Sequence, residues 1–167
     1  VPTGCWVLKP YTYILGGGVF NGGHIVKELT SLIDIAPTLL EAGGIPVPDD
    51  MRGIPVQRLI EHPGIPTHEE VFIQISESCI GRALRTPEWT YCVEAPLNSS
   101  QKQELLLPDS PLYEEKYLYH LPTDEGQKNN LIKDVQYRKI CDELRQKLTK
   151  YIWQIEGKTP EIRDQGC

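Results

Sequence analysis

A stripe of apolar side chains near the end of the chain constrains it more than anything else. Val135, Tyr137, Ile140, Cys141, Leu144, Leu148, Tyr151, Ile152 and Ile155 fall on one continuous helical face, and Lys139, Glu143, Arg145 and Lys147 fall largely on the other. The spacing predicts a helix over about 135–154, stopped by Gly157 and Pro160. A long one-faced helix must bury its stripe against another element. The segments before it supply a sheet. Residues 71–75 read as a strand, 82–86 alternate polar with apolar, and 89–93 are aromatic and β-branched, with a tight turn at Pro87-Glu88. Residues 94–115 read as a polar excursion, and 116–121 as a fourth strand with Tyr117, Tyr119 and Leu121 on one face. The expected fold is α+β: a small antiparallel sheet of about four strands packed by the long C-terminal helix.

A second punctuated segment precedes the sheet. In LTSLIDIAPTLLEAGGIPVPDDMRG, residues Leu29, Leu32, Ile33, Ala36, Leu39, Leu40 and Gly43 recur at helical spacing. Ser31 followed by Asp34 fits a capping box. Pro37 is tolerated in a first turn, where its missing N–H costs little. Gly43-Gly44 supplies a left-handed cap, and Pro46 and Pro48 forbid continuation. This predicts a short helix near 31–43, with Asp49 and Asp50 in the turn beyond it. Residues 1–23 are aromatic and glycine-rich, with possible strands at 7–8 and 11–15.

Composition narrows the function. A chain of 167 residues, 40% hydrophobic and 24% charged, has ordinary globular chemistry. Its net charge of −6 disfavours nucleic acid and polybasic membrane contacts. No apolar run approaches the roughly 20 residues of a membrane span. The start lacks the basic and apolar regions of a signal peptide, and compartment is not legible. Cys5, Cys79, Cys92, Cys141 and Cys167 are scattered, with neither CxxC nor Cys/His pairing, so neither a zinc site nor a catalytic thiol is expected. Gly16-Gly17-Gly18 is not followed by GK[ST], and Gly-x-Ser-x-Gly is absent. His62 and His68 have no carboxylate or Cys at ligand spacing, so both are expected at the surface. The sequon at Asn98 is read as a chance occurrence.

Three segments, in order, resemble the C-terminal portion of the sulfatase family in the alkaline-phosphatase-like superfamily. They are KELTSLIDIAPTLLEAGGIPVPDDMRG at 27–53, GRALRT with WTY at 81–91, and YLYHL with DEGQKNNL at 117–131. His120, Glu125-Gly126-Gln127 and Thr90 depart from the commonest family residues there. The resemblance implies that residues 1–66 are the tail end of a catalytic α/β domain and 67–167 a C-terminal subdomain. It implies calcium and a formylglycine made from Cys-x-Pro-x-Arg in a full-length enzyme. None of the five cysteines has Pro two residues on and Arg four on, so no catalytic or metal-binding residue is expected in this chain. The expected function is a structural, cleft-walling fragment of a sulfuric ester hydrolase acting on a sulfated small molecule or carbohydrate. Its partner would be the parent's catalytic domain, and self-association through an exposed apolar face is a further expectation. The alternatives are a phosphate or phosphonate monoesterase fragment of the same superfamily, and a non-enzymatic glycan- or partner-binding module using Trp6, Tyr11, Tyr13 and Phe20. Two residues stand as substrate-binding candidates. His24 lies on a glycine-rich loop that could face the cleft, and Arg85 at a hairpin end can read an oxyanion bidentately. Arg82 and Arg85, three apart in a strand, point to opposite faces and cannot grip one sulfate together.

Overall fold

The computed structural model describes residues 18–20, 22–64, 68–76, 79–96 and 107–164. The strands expected at 7–8 and 11–15, Cys5, Cys167, the aromatics Trp6, Tyr11 and Tyr13, and the sequon at 98–100 lie outside them. The chain forms two compact units, one within residues 9–71 and the other carrying residues 72–167.

In the first unit a single 3-10 turn, Leu32–Asp34, leads into α1 (Ile35–Ala42). The Ser31 N–H donates to Asp34 Oδ2 at 2.7 Å, as the expected capping box requires. Pro37 sits in the first turn of α1, as its missing donor requires. The helix ends in paired bonds, Ile45 N–H to Leu40 O at 2.9 Å and Gly44 N–H to Glu41 O at 3.0 Å, with Gly44 left-handed at φ 69°. A short helix, α2 (Gln57–Glu61), follows.

The second unit is built on five strands rather than about four: β1 (Val71–Ile75), β2 (Gly81–Arg85), β3 (Trp89–Glu94), β4 (Leu112–His120) and β5 (Glu161–Arg163), in that spatial order. The pairs β2–β3 and β3–β4 are antiparallel, and β5 joins β4 in parallel. The long helix α3 (Arg138–Glu156) is preceded by a 3-10 turn at Val135–Tyr137 and ended by left-handed Gly157. Its buried stripe of Cys141, Leu144, Leu148 and Ile152 packs with Ile80, Leu84, Tyr91, Val93, Tyr113 and Leu118 of the sheet segments. The fold is α+β.

Two details correct the sequence reading. β4 begins at Leu112, inside the segment read as a polar excursion, because Tyr113 and Glu115 are both buried. The register then runs from Cys92↔Tyr117 to Val93↔Glu115, skipping Lys116. This bulge switches the parity of the strand. Tyr113, Glu115 and Leu118 therefore face the helix, while Tyr117 and Tyr119 face away. Leu121, expected beside those tyrosines, lies past the strand end and is buried. The second correction is β5, which begins immediately after Pro160, where the sequence suggested only a helix stop.

Candidate functional site

The side of the sheet turned away from α3 carries a row of polar side chains. The register sets Arg85 opposite Thr90, and Thr90 opposite Tyr119. The next row is Ala83, Cys92 and Tyr117. Cross-strand neighbours on one face stand about 5 Å apart, so the Arg85 guanidinium, the Thr90 hydroxyl and the two tyrosines form one patch. Tyr117 and Tyr119 stack with ring centres 6.0 Å apart and planes 10° from parallel. Thr90 is buried, and Arg85 and both tyrosines are half-buried.

Arg85 differs from the other arginines that the sheet and α3 position. Its one hydrogen bond among the described residues is long, Nη1 to Thr90 Oγ1 at 3.5 Å, and no described carboxylate lies within ion-pair distance of it. Burial pulls its guanidinium below the usual arginine pKa, and the charge of Glu125 opposes that shift. Five N–H donors that are half-desolvated and largely unanswered favour an anionic acceptor.

Arg82 presents the contrast. It is 1% exposed and engaged through all three nitrogens: Nε donates to Glu156 Oε1 at 2.6 Å, Nη1 to Gly81 O and Nη2 to Pro108 O, each at 2.7 Å. It also lies 5.7 Å from the Tyr113 ring centre. Burial and the Glu156 carboxylate keep it from an oxyanion in solution.

Sequence reasoning missed a buried ionic cluster on the helix-facing side. Glu115 is fully buried; it accepts from Arg138 Nη1 and Nη2 at 2.6 Å each and from Tyr91 Oη at 2.8 Å, with Arg145 Nη1 at 3.4 Å. Burial, with the Glu115 charge, drives the Tyr91 phenol far above its ordinary pKa. Asp142 braces both arginines from α3. Arg138, Asp142 and Arg145 already shared a helix face in sequence; the burial of Glu115 followed only from the bulge. This cluster fastens α3 to β4 and is closed to substrate.

In the other unit His24 is exposed on the loop before α1, and Asp49 and Asp50 are exposed in the turn after it. His68 corrects the expectation of a plain surface residue. Its Nε2 lies 2.9 and 3.0 Å from the two oxygens of buried Asp34, a partner 34 positions away that no local spacing reveals. His24 and Arg85 stand on separate units. Among the described residues no group of three or more His, Cys, Asp or Glu side chains is placed to hold a metal ion. The described cysteines differ in burial, and Cys79 is half-buried. Cys92 is buried, and burial pushes the Cys141 thiol up to about 11.

No family model matches the chain, and no curated protein does. Solved structures do. A protein described as a sulfatase from Bacteroides thetaiotaomicron is 27% identical with a TM-score of 0.55, over 72% of this chain and 24% of its own. A 2-O GAG sulfatase is 28% identical with a TM-score of 0.54, over the same shares of each chain. The chain shares the fold of part of these sulfatases, consistent with a C-terminal region. A third structure, solved with its substrate D-glucosamine-2-N,6-O-disulfate, shares the fold at 21% identity and a TM-score of 0.57. The chain spans about a quarter of the length of the sulfatases it matches. Within the matched fold, the hairpin β2–β3 carries both arginines of the GRALRT segment: one is locked inward, and the other is left with donors to spare.

Proposed function

We propose that this chain is the scaffolding, cleft-walling part of a sulfuric ester hydrolase, and that the Arg85 face binds an anionic group of the substrate. The observation that carries the proposal is the half-buried Arg85 guanidinium, with one long hydrogen bond, on a fold shared with sulfatases. A sulfate ester is planar-faced and monoanionic, so a forked guanidinium recognises it well. Thr90 would hold the fork in place, and the Tyr117–Tyr119 stack would give a sugar ring an apolar surface.

The residues that attack sulfur would lie elsewhere in the parent polypeptide. Calcium and formylglycine belong to that part, where they would supply the nucleophile and neutralise the sulfate oxygens. This chain contributes position and charge.

The test is steady-state hydrolysis of an aryl sulfate by the full-length hydrolase carrying this region, with Arg85→Ala and Arg85→Lys. Loss of a charged hydrogen bond to substrate corresponds to roughly 10- to 100-fold in KM, with kcat largely retained. Lysine should restore part of the binding. An unchanged KM would remove Arg85 from the site. Preferential turnover of an aryl phosphate would move the parent to the phosphate or phosphonate branch.

A further inference from the structure

The outer side of α3 carries a charge that the rest of the chain does not. Residues 133–158 hold seven basic and four acidic side chains, whereas the remainder holds ten basic and nineteen acidic. The arginines of the helix are committed inward, Arg138 and Arg145 to Glu115 and Asp142. The lysines are not. Lys139, Lys147 and Lys150 are exposed, and Glu143 is the one exposed carboxylate of α3. Among the described residues Lys139 and Lys150 have no hydrogen-bond or ion-pair partner. They lie three helical turns apart on the side opposite the buried stripe, about 16 Å from each other along the axis. Trp153 comes one turn after Lys150 and is 60% exposed, and its carbonyl accepts the Gly157 N–H that caps the helix. Lys139, Gln146, Lys150 and Trp153 therefore share one straight strip.

We infer that this strip on α3 docks a sulfated polysaccharide chain. The inference rests on the sulfate-ester reading above and names the form of the substrate, a polymer rather than a single sugar. Charge complementarity selects the occupant. Lysines set in a line meet anions that repeat along an extended chain, and one sulfate could touch only one of them. A membrane or a nucleic-acid duplex is broader, and its flanks would meet the acidic remainder of the chain. A single polysaccharide chain is narrow enough to follow the helix. Trp153 gives that chain a flat apolar ring at the end of the strip, against which the C–H face of a sugar packs. Arg85 lies on the opposite side of the sheet, so the strip does not compete with it. A polymer held on α3 is presented to the rest of the hydrolase at raised local concentration.

The test measures binding of dextran sulfate to the full-length hydrolase carrying this region, beside unsulfated dextran, phosphatidylserine vesicles and oligodeoxythymidine. Dextran sulfate should bind tightest of the four. Lys139→Glu with Lys150→Glu, at unchanged circular dichroism, should weaken it roughly 10-fold or more. Trp153→Ala should weaken it about 5-fold. Arg85→Ala should leave most of it in place, and neither α3 variant should change hydrolysis of a small aryl sulfate. Undiminished binding in either α3 variant overturns the inference. So does equal binding of unsulfated dextran, tighter binding of the vesicles or the oligonucleotide, or a loss in Arg85→Ala as large as that in the double lysine variant. Strip-dependent binding without any sulfate ester hydrolysis would sink the functional reading and leave the docking intact. Hydrolysis without strip-dependent binding would do the reverse.

Discussion

Arg138 carries the clearest consequence at the level of single residues. It supplies both short bonds to Glu115, whereas Arg145 stands off at 3.4 Å. Arg138→Met would leave a fully buried carboxylate with only the Tyr91 hydroxyl and the more distant Arg145 as partners, a loss of about 3 kcal/mol. Chemical denaturation should show that loss, and Lys139→Met, at an exposed neighbour, should show almost none. Gly53 is a second fixed point. A Cβ there would lie 2.0 Å from the carbonyl oxygen of Ile33, which is backbone and cannot swing aside. Gly53→Ala is therefore expected to destabilise the α1 unit at the upper end of the ~1–3 kcal/mol typical of overpacking, read as a lowered midpoint in thermal melting. The sequence placed Gly53 only at the end of a turn. The approach of two strands of backbone depends on the Asp34 carboxylate gathering Ile54 and His68, and that pairing is long-range. The same limit applies at the site. Arg85 was legible as a candidate from its place on the hairpin, but its shortage of partners is a fact of geometry.

At the scale of elements, α3 stabilises the sheet unit chiefly through its stripe. Leu148 is fully buried among β2, β3 and β4 residues, and Leu148→Ala should cost about 2–5 kcal/mol in denaturant unfolding. Trp153→Ala, on the exposed side, should cost well under 1 kcal/mol. A similar cost for both would contradict the packing described. α1, α3 and the β2–β3 hairpin are legible because each is marked twice, by hydrophobic period and by chemical stops: Ser31 and Gly44 for α1, Gly157 and Pro160 for α3, Pro87 for the hairpin. β4 was only half legible. Its bulge at Lys116 breaks the alternation on which strand reading depends, so Leu112–Glu115 vanish into the preceding loop and the buried Tyr113 and Glu115 carry no signal of their own. β5 is three residues with one apolar side chain, held by parallel pairing to Leu112–Glu114, and such a strand has no pattern of its own.

For the whole molecule, the two units divide the work differently. The sheet unit has an apolar core, a saturated ionic clasp and one arginine with spare donors. The α1 unit buries Asp34, Thr38 and Gln57 beside Leu59 and leaves several large aliphatic groups exposed. Among the described residues no cluster of His, Cys, Asp or Glu is placed to hold a metal ion, and Cys92 and Cys141 are buried. The proposed reading joins the sulfatase likeness to the chemistry of these residues: this region would shape and charge a cleft whose reacting groups lie in the rest of the polypeptide. The direct measurement is aryl sulfate hydrolysis by the purified 167-residue chain with calcium present. The account predicts no turnover above the uncatalysed rate. Hydrolysis at a rate comparable to a full-length sulfatase would contradict it.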